Sequence, residues 1–98
     1  MYILFINPTR SPEELKPVFP VHRQFLDSYC KAGKFILTGG LTARPAGVVL
    51  ANVSSEDELK AILAEDPFVR EQVAEYEVIE FKPSWYHENL ASLIAPPA

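Results

Sequence analysis

The sequence predicts one α+β domain built on a split βαβ, ferredoxin-like antiparallel sheet. Three observations carry this prediction. The chain has 98 residues with no internal break, which fits a single domain. Four short runs of branched and aromatic residues alternate with two helical stretches in the order β-α-β-β-α-β. Hydrophobic residues make up 48% of the chain and charged residues 22%, a globular balance that argues against disorder. A domain of this size buries roughly 60–65% of its unfolded surface, enough for one core and not two.

The elements follow in order. Tyr2 to Ile6 reads as a buried strand, ended by Asn7-Pro8. Ser11-Pro12-Glu13-Glu14 reads as a helix start, with Ser11 as cap and Glu14 completing a capping box. Pro17 and Pro20 interrupt it, so one helical turn and a break precede a longer helix from about Pro20 to Ala32. Val18, Val21, His22, Phe25, Leu26 and Tyr29 give that helix an apolar stripe, and Arg23, Asp27 and Lys31 face away. Gly33 is the expected stop.

Phe35 to Thr38 is the second strand, ended by Gly39-Gly40, where a sharp turn or a close ligand approach is expected. Leu41 to Ala46 is a loop and Val48 to Val53 the third strand. Ser55 caps the next helix with Glu58 in a second capping box, and Leu59, Ile62 and Leu63 form its buried stripe. Asp66-Pro67 opens a short turn, since Asp is a good N-cap and Pro suits the next position. Tyr76 to Phe81 is the fourth strand, closed by Pro83. The domain is therefore placed at residues 1–83. Residues 84–98 are read as a C-terminal arm or helix at a dimer interface, with Ala95-Pro96-Pro97-Ala98 fraying.

Strand alternation makes both faces of this sheet apolar: Tyr2, Leu4 and Ile6 lie on one, Ile3 and Phe5 on the other. Two helices cover only one face. The second face needs a cover worth roughly 25 cal/mol per Å², and a second copy packed sheet to sheet is the simplest. A homodimer is therefore expected, with the arm as a competing cover.

The formal net charge is −4 and the nine Lys and Arg are scattered. Nucleic acid and anionic membrane surfaces both require clustered positive charge, so neither is expected as a partner. One cysteine, Cys30, cannot form an internal disulfide, and the N-terminal run has no secretory pattern; a cytoplasmic location is the expectation.

Few side chains could carry chemistry. His22 stands in an apolar stripe where leucine would pack more simply. It must find hydrogen-bond partners, as a core histidine would, or serve acid–base work near neutral pH. Asp66 has a plain role as a helix cap. It also has a sharper one, as the carboxylate that fixes the tautomer of His22. The two roles are compatible. Thr38, Gly39 and Arg44 are candidate substrate contacts, Arg44 for an anion. The glycines match no phosphate loop. His87 has no neighbour at metal-ligand spacing, so neither a metal nor a cofactor is expected. Tyr29, Tyr76, Tyr86 and Trp85 read as core or interface.

These residues resemble a known family. His22, Phe25-Leu26-Asp27, Ala32-Gly33-Lys34-Phe35, Thr38-Gly39-Gly40, Arg44-Pro45, Gly47 to Ala51, Asp66-Pro67-Phe68 and Ala74 to Phe81 are similar to the YciI-like (YCII-related) family from Tyr2 to about Pro83. The chain departs from the common family pattern at Gly39-Gly40, where Gly-Pro is frequent, and at Phe19, where many members carry Arg. The resemblance implies a dimeric α+β barrel of ferredoxin-like subunits and a pocket holding a His and an Asp, here His22 and Asp66. Its known chemistry includes loss of HCl from chlorinated hydroxy-aromatic compounds.

The resulting expectation is a small cofactor-independent lyase- or isomerase-like enzyme. His22 moves a proton on a small cyclic or aromatic molecule while Asp66 orients and charge-stabilises it. The alternative is a non-catalytic ligand-binding or regulatory dimer that uses the same pocket.

Overall fold

A computed structural model describes residues 1–94; the expected fraying at Ala95 to Ala98 lies outside the described residues. The element order is β1 (Tyr2–Pro8), α1 (Pro12–Leu15), α2 (Phe19–Lys31), β2 (Phe35–Gly40), β3 (Gly47–Ala51), α3 (Glu56–Leu63), α4 (Pro67–Arg70) and β4 (Ala74–Glu80). A 3₁₀ turn at Glu88–Leu90 follows. The four strands form one sheet in the order β2-β3-β1-β4, and every pairing is antiparallel. This is the split βαβ arrangement that the sequence predicts.

Residues paired across antiparallel strands share a face. Tyr2, Leu4 and Ile6 therefore lie with Val49, Ala51 and Phe35 on the helix-covered side, where all six are buried. Phe25 of α2, Leu59 and Ile62 of α3 and Phe68 of α4 close this core. The other side carries an apolar row across all four strands, Leu37–Leu50–Ile3–Ile79. Leu37 is 66% exposed and Ile79 43%, so among the described residues nothing covers that row fully.

Local signals act largely as the sequence suggests. Helix α2 ends on Gly33 at φ 77, with the amides of Gly33 and Lys34 returning to the carbonyls of Cys30 and Tyr29. Ser55 accepts from the Glu58 amide, and Glu58 accepts from the Ser54 amide. Four expectations are corrected. Ser11 caps no amide; its hydroxyl donates to the Glu14 carboxylate, because both side chains face solvent. Val21 is 46% exposed, since α2 turns only its His22–Phe25 edge fully inward. Gly39 and Gly40 do not turn the chain; they stay in β2 because Val48 and Gly47 remain available as partners. The third strand ends at Ala51, before Val53.

The arm is mostly without regular structure. Asn52 donates its side-chain amide to the Leu93 carbonyl, Ile94 is buried, and Trp85 is left 94% exposed. Among the described residues, no helix is long and apolar enough to cross a membrane.

Candidate functional site

The site begins with helix α2. His22, Phe25 and Tyr29 fall at three- and four-residue spacing on its inward edge, so His22 is 4% exposed. A buried imidazole requires partners. Helix α4 supplies two of them within one turn. Asp66, at its N-cap, lies 2.7 Å from the Nδ1 of His22 through Oδ1. Phe68 lays its ring on the imidazole at 3.8 Å between centroids and 4° between planes. The turn is short because Pro67 fixes its first dihedral and Asp66 caps it, accepting from the Phe68 amide at 2.9 Å.

Asp66 is wholly buried, which demands that its oxygens be satisfied. Oδ1 accepts from His22 and from the Phe68 amide, and Oδ2 accepts from the Tyr76 hydroxyl at 2.5 Å. Tyr76 comes from β4 on the helix-covered side, opposite Ile6. Burial, and then the neighbouring Asp66 charge and hydrogen bond, push the Tyr76 phenol far above its ordinary range. The phenol therefore stays protonated and donates. An ionised carboxylate only accepts, so the Nδ1 of His22 donates to it; in a neutral imidazole Nε2 then holds the free lone pair. Nε2 has no partner among the described residues, and no side-chain nitrogen or oxygen there is both buried and unpaired, so Nε2 keeps an opening.

His22 also lines a cavity of about 640 Å³. Phe19 and Leu26 of α2, Ile6 of β1 and Phe68 form apolar walls, and the ends of β2 and β3 form another. A Cβ placed on Gly39 would meet nothing within 4 Å, and one on Gly40 would meet only the Ala46 carbonyl at 4.0 Å. The two glycines thus leave space that side chains would fill.

The structure brings His22 and Asp66 together across 44 positions of sequence. Thr38 and Gly39 line the cavity beside them. Arg44 does not line it; its guanidinium donates to the Asn7 side chain at 2.7 Å and ties the β2–β3 loop to β1. Two residues escape a reading of the sequence. Tyr76 read as core, and only the inward alternation of β4 hinted at its contact with Asp66. Arg23 read as facing away, yet it lies at the cavity rim with its guanidinium 5.9 Å from the Phe19 ring centre.

Comparison with known proteins adds three findings. The profile of a family described as YCII-related domain matches residues 1–82. No match was found among curated proteins. Among solved structures, the chain is similar to 5-chloro-2-hydroxyhydroquinone dehydrochlorinase (TftG) from Burkholderia phenoliruptrix AC1100, determined in complex with 2,5-dihydroxybenzoquinone. The TM-score is 0.67 at 18% identity, over 86% of this chain and 96% of that one. At that identity the likeness is one of fold.

Proposed function

The chain belongs to the YCII-related domain family, and from that premise we propose that it is a cofactor-independent acid–base enzyme acting on a small cyclic or hydroxy-aromatic molecule. The observation that carries this reading is the 2.7 Å bond from the buried Asp66 to His22, a residue that lines a mostly apolar cavity, with Nε2 unpartnered among the described residues. Nε2 takes a proton from the bound molecule. Asp66 holds the ring in its tautomer and stabilises the imidazolium that forms. Tyr76, through Oδ2, keeps Asp66 turned toward His22, and Phe68 prevents the imidazole from swinging. Thr38 and the open ground at Gly39 receive the substrate. Loss of HCl is the version of this chemistry suggested by the dehydrochlorinase of similar fold.

The working form is a homodimer. The exposed row Leu37–Leu50–Ile3–Ile79 supports this, since a flat apolar sheet face is stabilised by a second copy at roughly 25 cal/mol per Å² buried. The C-terminal arm, described as far as Ile94, then lies at the edge of that contact.

Chlorinated and unchlorinated hydroxy-aromatics, screened for chloride release and mass change, provide the assay. With a substrate in hand, His22→Ala lowers turnover by about 10²–10⁴ and leaves the circular dichroism spectrum unchanged. A loss below about threefold removes His22 from the chemistry and leaves a ligand-binding module of the same fold.

A further inference from the structure

Beside the His22 cavity lies a second cleft of about 630 Å³ that shares Pro8, Leu15, Phe19, Arg23 and Pro45 with it. Arg10, Lys16 and Arg23 line this cleft, against a single acidic residue, Glu13. The chain as a whole has thirteen acidic and nine basic residues, so the balance is locally inverted. Among the described residues none of the three cations lies within ion-pair distance of a carboxylate, although four other such pairs form in the protein. The remaining walls include Pro8, Pro12, Pro20 and Leu15, and apolar walls focus the field of nearby charges. Arg23 borders both spaces and is held near the Phe19 ring, with a planar fork that suits two oxygens of one anionic group.

We infer that the molecule acted on is a small organic anion: its ring occupies the His22 cavity, and its carboxylate or phosphate lies in the adjoining cleft against Arg23, Lys16 and Arg10. This rests on the cavity being the substrate site. It adds a chemical class, because three cations without a carboxylate partner among the described residues line one end of the combined space. The cations also set direction, drawing the anionic end outward and leaving the ring to meet Nε2.

Matched probes test it on the full chain. The affinities of 3-(4-hydroxyphenyl)propanoate, 2-phenylethyl phosphate and the neutral 3-(4-hydroxyphenyl)propan-1-ol are measured by titration calorimetry at low salt. At least one anion binds about tenfold or more tightly than the alcohol, and which one does so separates carboxylate from phosphate. Arg23→Gln and Lys16→Gln each reduce that preference at least threefold. Equal affinities, no binding by either anion, or a preference that survives both substitutions overturns the inference. The proton-transfer reading fails separately: if His22→Ala leaves turnover intact while the anion preference holds, only the catalytic reading goes. If the preference is absent while His22→Ala abolishes turnover, only the anion site goes.

Discussion

Helices α3 and α4 both begin on a side chain that accepts from a backbone amide, Ser55 from Glu58 and Asp66 from Phe68. Their surroundings differ. Ser55 is exposed, and its hydroxyl accepts from the amide of Glu58 in its own helix. Glu58 is held below its ordinary range, first by the Ser54 amide and then by Lys34. Asp66 is sealed in the protein, and the oxygen that caps α4 also receives His22 from α2 while the other receives Tyr76 from β4. The same local rule thus produces a fastening in one place and a three-element junction in the other. A cap becomes part of a site when it is buried and when groups from distant elements need its remaining lone pairs.

The largest effect that can break this comparison is expected at Asp66. Asp66→Ala removes the cap and leaves the Nδ1–H of His22, the Tyr76 hydroxyl and the Phe68 amide without their acceptor. Breaking a buried pair of this kind costs about 3–5 kcal/mol. Ser55→Ala costs about 1 kcal/mol, because water replaces the lost oxygen. Urea unfolding of the two variants measures the ratio. Similar losses would mean that Asp66 is a cap and little else. Activity adds a second axis: Asp66→Asn keeps a capping oxygen but no longer stabilises an imidazolium, so its turnover falls at least tenfold, whereas Ser55→Ala leaves turnover unchanged.

A smaller effect is expected one bond further out. Tyr76→Phe removes a hydroxyl from a buried carboxylate and costs about 1.5–3 kcal/mol. If Tyr76 only fills the core, the pH profile of turnover keeps its shape. If it shares the charge of Asp66, the profile changes shape, because the carboxylate that orients His22 has lost a donor. The phenol itself stays protonated, so no limb of its own appears near neutral pH.

The comparison also explains what could be read in the sequence. The order of elements along the chain, the Ser55 and Asp66 caps and the Gly33 stop follow rules that act within a few residues, and the structure carries them all. Tyr76 was hidden because its role depends on β4 lying beside β1, which is a long-range pairing. The basic cleft was hidden because Arg10, Lys16 and Arg23 stand six and seven residues apart, and it takes the bend between α1 and α2 to set them around one hollow. Gly39-Gly40 looked like a turn because glycine is neutral about its neighbours; available partners on β3 decided otherwise. The His22–Asp66 pair was open to proposal from the chemistry of the two residues and is implied by the family resemblance, but a gap of 44 residues carries no spacing rule.

The smallest effect concerns how α4 ends. Helix α2 stops on Gly33 at φ 77, a conformation glycine adopts freely, whereas α4 stops on Gln72 at φ 57. The amide of Val73 still returns to the Phe68 carbonyl, so the turn that holds Asp66 and Phe68 closes in the same way as the end of α2. A residue with a Cβ in this region is strained by roughly 1–2 kcal/mol. Glycine removes the strain but adds unfolded-state entropy worth about 0.5–1 kcal/mol. Gln72→Gly is therefore expected to stabilise the protein by about 0.5–1 kcal/mol, visible as a higher urea midpoint at unchanged slope. Because the backbone path is preserved, His22 and Asp66 stay in register and ligand affinity does not change. A drop in stability would show that the exposed Gln72 side chain makes contacts that outweigh its strain, and a loss of affinity would show that α4 depends on its end as much as on its cap.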